Sequence, residues 1–443
     1  MITGIARSSD PQACLPGCKR LAQLKRLPVR SIVILACLLA PITTTGKDSL
    51  PDLLEAARAM RDAAAETRTD ISPDSPQNHA RRWLAALLAD GEPRFQGWYS
   101  ERRTFAAAAP MTEAYPFPGA AAGAIDAAEP AHGSHAGPLI HFTHFNAAAH
   151  VYLRSSGLYD PSRLHAIASR DGMLPAPPSN AMVVLTGWWP LAADRATPMP
   201  LWDENAPLRP TGANGYLNWP RVARVAPLRS STVPGKTAVQ QFAGRAITDA
   251  GVLPRDAFYR VAPTPAHLQT LMRDPQFRRA SMIALGRPMQ AGDELALVAF
   301  HLLHFGLEEG LWLTYWWDVE EWDVQPPANS GPAEASADTT LPAPWRYYRG
   351  DMTVSPVYPL EADGSPNICF NPWFDAVFPD SGQGNGLRAN CVSCHLQAGV
   401  PATGRLQVTR GRPEIDSEDR FFIPTHLLWS LANPRRAGTV RHR

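Results

Sequence analysis

Five residues close to the C-terminus, Cys391-Val392-Ser393-Cys394-His395, constrain this chain more than any other feature. On one helical turn Cys391 and Cys394 stand three residues apart, so both sulfur atoms face the same way and His395 follows beside them. This C-x-x-C-H spacing is the attachment signal of a c-type haem, in which two thioethers hold the porphyrin and the imidazole binds the iron. A thioredoxin-type redox pair would need a βαβ unit and a zinc site a second ligand pair nearby, and the sequence indicates neither.

The position of the motif determines what can surround such a cofactor. Of the 443 residues only 48 follow His395, and all ten methionines precede it. An ordinary cytochrome c domain places a methionine ligand after its motif, so this segment must take its distal wall from the upstream part of the chain. The alternatives for the second iron ligand are His301, His426, an upstream methionine or an open position.

The N-terminal residues predict export. No acidic residue lies between Asp10 and Asp48, and the apolar run 31–40 follows a cluster of basic residues: Lys19, Arg20, Lys25, Arg26 and Arg30. Ten apolar residues reach about 15 Å as a helix, which is too short for a stable transmembrane span. We therefore expect a signal peptide over 1–46, cleaved after the small residue Gly46, and a periplasmic protein. Because haem is attached to exported chains, the leader and the haem motif support each other.

The other cysteines add one alternative and one expectation. Cys37 follows Ile34-Leu35-Ala36, a loose imitation of a lipoprotein cleavage box, so a lipid anchor through Cys37 is the alternative localisation. After removal of the leader, Cys369 is the cysteine outside the motif. We expect it to be a small buried residue, with no structural disulfide.

Composition and pattern predict an α+β fold. The net charge of +1 implies neither nucleic acid nor an anionic membrane as a partner. Helical periodicity after Ser49 and after residue 75 predicts an N-terminal helical region, which together with an Ala/Gly/Pro-rich linker occupies 47–138. Strand patterns at 181–188, 295–304 and 311–317, with a helix at 145–159, predict a mixed body over 139–365. A helical haem-binding segment, docked on that body, is expected over 366–443.

The body also resembles a known group. It is similar to the exported bacterial monohaem "cytochrome c family" proteins of uncharacterised function, in which a strand with a Leu/Phe-His motif precedes a Trp-containing strand and the haem motif lies near the C-terminus. The resemblance covers residues 139–431 and rests on these segments: His144-Phe145-Asn146, Gly157-Leu158-Tyr159, Gly187-Trp188-Trp189, Ala299-Phe300-His301-Leu302, Trp312-Leu313-Thr314-Tyr315, Asn371-Pro372 and Asn390 to His395. It implies haem binding and a redox function. The family's Glu-His ending of the second strand is replaced here by Trp316-Trp317-Asp318, so no role is transferred to that position.

His301 and His304 form an H-x-x-H pair whose meaning depends on secondary structure. On a helix both could chelate one metal ion, whereas on a strand they point to opposite faces. The pattern favours a strand, and the resemblance falls on His301. We therefore expect His301 to face the haem as distal ligand or hydrogen-bond donor; the alternative is a core histidine bonded to a backbone carbonyl.

A second group of histidines and several residues near the motif have both functional and structural interpretations. The histidine group consists of His132, His135, His141, His144 and His150. It either binds copper or zinc or is a set of solvated imidazoles. Arg388 either pairs with a haem propionate or lies on the surface. The aromatic cluster Trp312, Tyr315, Trp316, Trp317 and Trp322 either packs in the core or borders the haem.

Two classes of function remain. The first is an electron carrier with two protein ligands on the iron, which exchanges electrons with a periplasmic partner. The second is a haem enzyme of peroxidase or oxidase type with an open distal position. Apart from these two, a binding protein whose haem senses redox state or gas is a weaker alternative. No acid/base set at peroxidase-like spacing stands out in the sequence, so electron transfer is favoured.

Overall fold

The computed structural model describes residues 49–65, 76–89, 91–105, 139–160, 162–164, 166–167, 174–203, 219–228, 241–242, 245–319, 341–355, 367–375, 390–395, 399–400, 408–409, 412–413 and 423–424. The chain divides into two compact units, Met1–Gly46 and Lys47–Arg443, and all described residues belong to the second. Several sequence predictions lie outside the described residues: the leader 1–46 with Cys37, the linker after residue 105, His132, His135, Trp322, Arg388 and His426.

Helices and strands follow one another along the described residues. The helices are Leu50–Ala65 (α1), Pro76–Leu87 (α2), Glu101–Phe105 (α3), Ala147–Ser155 (α4), Pro265–Leu271 (α5), Pro275–Leu285 (α6), Pro372–Asp375 (α7) and Cys391–His395 (α8). The strands are Leu88–Ala89 (β1), Glu92–Pro93 (β2), Tyr99–Ser100 (β3), Ile140–Phe145 (β4), Met182–Leu191 (β5), Thr197–Leu201 (β6), Arg221–Val225 (β7), Gln241–Phe242 (β8), Arg245–Ala246 (β9), Thr248–Leu253 (β10), Arg260–Val261 (β11), Glu294–His304 (β12), Leu311–Trp317 (β13), Tyr348–Thr353 (β14), Gly399–Val400 (β15), Val408–Thr409 (β16), Arg412–Pro413 (β17) and Ile423–Pro424 (β18).

A seven-stranded antiparallel sheet forms the centre of the described structure. Its strand order is β14-β13-β12-β5-β4-β3, with β11 paired to one end of β12. Strand β12 is the longest, and nearly all of its residues are buried. A strand buried on both sides must be covered on both faces, which explains its continuous apolar sequence.

One face of this sheet, which we call the α2 face, carries the row Phe300, Tyr315 and Gly350. Helix α2 packs here: the Tyr315 hydroxyl donates to the Ala80 carbonyl at 2.8 Å. A Cβ on Gly350 would lie 2.8 Å from the Tyr315 ring and 3.2 Å from Ala80, so the helix approaches the sheet closely only because this residue is glycine.

The opposite face, which we call the motif face, carries the row His301, Thr314 and Asp351. Segments 367–375 and 390–395 bond to it through buried side chains. A smaller sheet, β10-β7-β6, is joined to the rest through Arg255, whose guanidinium donates to Glu294 at 2.5 Å and to the Ala192 carbonyl at 2.9 Å.

The structure confirms the α+β class and the strands expected at 181–188, 295–304 and 311–317; a turn containing Gly306 and Gly310 joins the last two. The helix expected from residue 145 begins after Asn146, whose side chain accepts from the Ala149 amide. The residues before it form β4, which pattern reading missed. Among the described helices none is long and apolar enough to span a bilayer.

The second helix, which was predicted to begin after residue 75, ends at Leu87. The reason is a tight hairpin: Leu88 and Ala89 pair with Pro93 and Glu92 around Gly91, whose φ is +83°. The first helix begins as expected, since Ser49 and Asp52 cap it reciprocally: the Ser49 amide donates to the Asp52 carboxylate at 3.3 Å, and the Asp52 amide donates to the Ser49 hydroxyl at 3.4 Å.

Candidate functional site

The C-x-x-C-H residues form the short helix α8, which a buried asparagine holds against the sheet. Asn390 is completely buried, and its side-chain oxygen accepts from the Val392 amide at 3.0 Å. Its amide group donates to the Thr353 hydroxyl at 2.8 Å and to the Asn367 carbonyl at 3.0 Å. The start of the motif is therefore fixed to β14 by hydrogen bonds that leave none of the Asn390 polar atoms unpaired.

Two more buried asparagines fix the preceding segment. Asn367 donates to the Asp351 carboxylate and to the Met352 carbonyl, both at 3.0 Å. Asn371 donates to the Thr314 hydroxyl at 2.8 Å and to the Tyr315 carbonyl at 3.0 Å. A buried amide left without such partners would cost about 1–3 kcal/mol, so these bonds select one position for residues 367–375 on the motif face.

The described side chains of the motif lie against the sheet. Cys391 is 9 % exposed and packs with Leu303, Trp312 and Val392. The His395 ring lies 4.0 Å from the Trp312 ring, centroid to centroid, at 41°. The Trp312 indole is itself held by a 3.0 Å bond to the Glu309 carbonyl. One thiol and the imidazole of the motif are thus positioned by the same strand pair, β12 and β13.

His301 lies on the same face, as predicted from a strand. It pairs with Leu185 of β5 and Thr314 of β13, one row from the Leu303–Trp312 pair. Its Nε2 atom is buried and has no hydrogen-bond partner, and its ring meets the Phe374 ring edge-on at 4.6 Å. Burial is the main cause that lowers the pKa of His301, to about 3, and electrostatic repulsion by the nearby His395 and His141 lowers it further. At neutral pH this imidazole is uncharged and presents a free nitrogen.

His141 is a second imidazole of this kind, and sequence reasoning did not place it at the site. It is 8 % exposed, both ring nitrogens lack a partner, and burial lowers its pKa to about 4. Its ring lies 5.4 Å from Phe374. The β-branched and aromatic residues of β4 are typical of a strand, so the strand could have been predicted from the sequence. That His141 faces the site follows only from the register of β4 with β5.

Phe374 lies between the two imidazoles, above a glycine. Gly187 of β5 pairs with His141 on one side and with Ala299 of β12 on the other. A Cβ on Gly187 would lie 3.1 Å from the Phe374 ring and 2.8 Å from Leu139. Position 187 must therefore lack a side chain so that Phe374 can reach the sheet.

The three described histidines of the upstream group, His141, His144 and His150, do not converge on one point. His141 and His144 stand three residues apart on a strand, so their side chains point to opposite faces. His150 lies on α4, where its Nδ1 is 3.0 Å from the Thr104 hydroxyl and its ring stacks on Tyr99. Among the described residues no three ligand-type side chains come together as a metal site.

The four described residues of the aromatic cluster belong to the core. Trp312, Tyr315, Trp316 and Trp317 are all buried, which confirms the structural interpretation, and Trp312 also borders His395. Asp318, beside the cluster, is paired with Arg349 at 3.7 Å. It belongs to a surface ion pair.

One buried carboxyl near the site was missed. Asp375 accepts the Asn371 amide at 2.7 Å, and burial raises its pKa to about 7. The sequence gives no signal for this shift, because it depends on how α7 lies against the sheet. A surface groove of about 680 Å³ between α4 and residues 175–180 is lined mainly by apolar and small polar side chains, and none of the groups described above lines it.

No family model, curated protein or solved structure matches the chain. The resemblance to exported monohaem proteins therefore stays a prediction. What the geometry supplies is a thiol, three imidazoles and a buried carboxyl on or beside one face of one sheet.

Proposed function

We propose that the chain is an exported monohaem c-type cytochrome that exchanges electrons with a periplasmic redox partner. Cys391 and Cys394 would hold haem c through thioethers, His395 would be the proximal iron ligand, and His301 would be the distal ligand. Arg388, three residues before the motif, would pair with a propionate. In this proposal residues 1–46 are the signal peptide, 47–138 the helical region with its linker, 139–365 the body and 366–443 the haem segment docked on it.

The observation that carries the proposal is the buried, unpartnered Nε2 of His301 on the face that also holds His395. Leaving a buried polar atom without a partner costs about 1–3 kcal/mol. A bond from that nitrogen to iron would remove this cost. The lowered pKa of His301 supports this role, because only the neutral imidazole can bind a metal.

The surroundings of the C-x-x-C-H motif also fit a covalently attached haem. Cys391 and His395 are held at one wall by Trp312 and Leu303, and a hydrogen-bond network fixes the start of α8. Such support orients the ligands of a metal site. When bound, the iron would supply a one-electron couple. With imidazoles on both sides it would have no open position, which favours electron transfer over small-molecule chemistry.

His141 favours a second candidate, a haem enzyme. If the iron keeps an open distal position, a neutral imidazole with two unpartnered nitrogens could accept a hydrogen bond from a bound small molecule or donate one to it. His301 would then share this distal role and would not be a ligand.

The test is the absorption and EPR spectrum of the ferric protein, made as the full chain in a host that attaches haem. We expect a six-coordinate low-spin haem and a mass increase of one covalent haem. His301→Ala should convert the spectrum to high spin. The matched control is His304→Ala, on the same strand but the opposite face, which should leave it low spin.

Three results would contradict the proposal. A high-spin, water-ligated wild type selects the enzyme candidate. A low-spin His301→Ala protein assigns the distal position to another residue. If the intact mass is that of the bare polypeptide, the protein carries no covalent haem and the proposal fails.

An N-terminus at Lys47 would support cleavage of the leader after Gly46, whereas a lipid-modified Cys37 would support the lipid anchor instead.

A further inference from the structure

Cys369 lies beside the first cysteine of the motif. Both side chains are buried, Cys369 at 1 % exposure and Cys391 at 9 %. The Cys391 sulfur lies 3.7 Å from the carbonyl oxygen of Cys369, so the two residues are in direct contact. The Asn367 amide group also approaches the Cys369 sulfur at 3.7 Å.

The same asparagine network holds the two cysteines together. Asn367 is two residues before Cys369 and is bonded to β14, while Asn390 is one residue before Cys391 and is also bonded to β14. The Asn390 amide group donates directly to the Asn367 carbonyl at 3.0 Å. The folded body therefore keeps the two thiols adjacent without any cofactor, and fixed proximity strongly favours reaction between two groups.

We propose that Cys369 and Cys391 form a disulfide in the exported chain before haem is attached, and that its reduction is required for haem attachment. Two S–H bonds break and one S–S bond forms. Two protons leave, and the electron pair passes to the disulfide of an oxidant, such as a protein thiol oxidase or oxidised glutathione, which becomes two thiols. Reduction by a dithiol reverses the step and frees Cys391 for its thioether.

Two physical consequences follow. Because both sulfurs are buried, a dithiol reaches the bond only slowly once the chain has folded, and burial also raises the pKa of the Cys369 thiol, which slows its exchange in the same state. The disulfide itself does not depend on haem. Only its effect on haem attachment rests on the proposed function.

The test uses the full chain exported to an oxidising compartment in a host without haem-attachment enzymes. Free thiols are alkylated, and the protein is digested with trypsin without reduction and analysed by mass spectrometry. Trypsin cuts after Arg349, Arg388 and Arg405, so Cys369 and Cys391 fall on different peptides, whereas Cys391 and Cys394 fall on the same one. We expect the two peptides to be linked through Cys391, with Cys394 alkylated.

A link between Cys391 and Cys394, or alkylation of all three thiols, would overturn the proposal. Cys394→Ala should keep the link and Cys369→Ala should abolish it; loss of the link in Cys394→Ala also overturns it. In a haem-attaching host under oxidising conditions, Cys369→Ala should carry severalfold more haem than the wild type, and added dithiol should remove the difference. Equal haem content without dithiol would overturn the gating step alone. A protein that shows the link and never binds haem would instead refute the proposed function.

Discussion

The histidines on the two faces of strand β12 differ in their hydrogen bonds. On the α2 face, His304 accepts from the Gly306 amide at 2.9 Å and its ring meets Trp83 at 5.4 Å. On the motif face, the buried Nε2 of His301 has no partner. Burial lowers the pKa of both, to about 4 and about 3. Burial therefore does not distinguish the two residues, whereas their hydrogen bonds do.

A weaker form of this contrast is seen on β4. His144 points to the α2 face, where the Trp98 backbone interacts with its ring although its buried Nδ1 has no hydrogen-bond partner, whereas neither ring nitrogen of His141 on the motif face has one. Most buried polar atoms are hydrogen-bonded, and the motif face carries three buried ring nitrogens without a partner, Nε2 of His301 and both nitrogens of His141. This concentration supports the proposal that the motif face binds a ligand.

The largest expected effect concerns the α2 face. Trp83 is fully buried, donates to His79 at 3.1 Å and packs against His304. Trp83→Ala should lower the free energy of unfolding by about 3–5 kcal/mol, because it leaves a large cavity. Urea unfolding of the haem-loaded protein measures this loss. The ferric spectrum of the folded fraction should stay the same, and a shift to high spin would show that the two faces are not independent.

A smaller effect is expected from the glycine under Phe374. Gly187→Ala places a methyl group 3.1 Å from the Phe374 ring and 2.8 Å from Leu139. Overpacking of this kind costs about 1–3 kcal/mol, and displacement of Phe374 should also change the environment of His301. The measurements are urea unfolding and the ferric spectrum. Gly97→Ala is the control, since a Cβ there meets nothing within 4 Å, and equal effects at both positions would contradict the packing of Phe374.

The main helices and strands of the fold could be predicted from the sequence, and so could the position of His301 on one face of its strand. The opposite directions of His301 and His304 followed from the apolar and β-branched pattern of 295–304, because a period of two needs no tertiary information. Residues 140–145 were missed as a strand since they lie against the adjacent helix pattern, and with them the position of His141 was lost.

The parts that could not be predicted depend on contacts between distant segments. The three asparagines Asn367, Asn371 and Asn390 are unremarkable as residues, and their roles arise from the carbonyls and hydroxyls of β13 and β14. The contact of Cys369 with Cys391 also needs the fold. Here sequence patterns locate the motif, and the register of the sheet determines which side chains share its face.

His304 on the α2 face and Asp375 on the motif face should contribute to the pH dependence of stability with opposite signs. The pKa of His304 is about 4 when folded and 6.5 as the reference value, so the unfolded chain takes up the proton first and stability falls as pH drops from about 6.5 to 4. The pKa of Asp375 is raised from 3.8 to about 7. The folded chain keeps this proton longer, so stability falls as pH rises from about 4 to 7.

Two variants separate these contributions. His304→Asn should reduce the acid-side slope of the unfolding free energy by up to about 1.4 kcal/mol per pH unit, and Asp375→Asn should remove a loss of similar slope between pH 4 and 7. Urea titrations at half-unit pH steps measure both. Identical pH profiles for wild type and Asp375→Asn would mean that the carboxyl is not buried as described.

The smallest expected effect tests the docking of the segment that leads to the motif. Thr314→Val removes the hydroxyl that accepts from Asn371 at 2.8 Å and keeps the shape of the side chain. Because Asn371 still donates to the Tyr315 carbonyl at 3.0 Å, the loss should be about 1 kcal/mol. Exposed Thr248→Val, on β10 of the smaller sheet, is the control and should change stability by less than about 0.5 kcal/mol. If hydrogen exchange of the amides in 371–375 is no faster in Thr314→Val than in the control, the Asn371 bond does not hold this segment on the motif face.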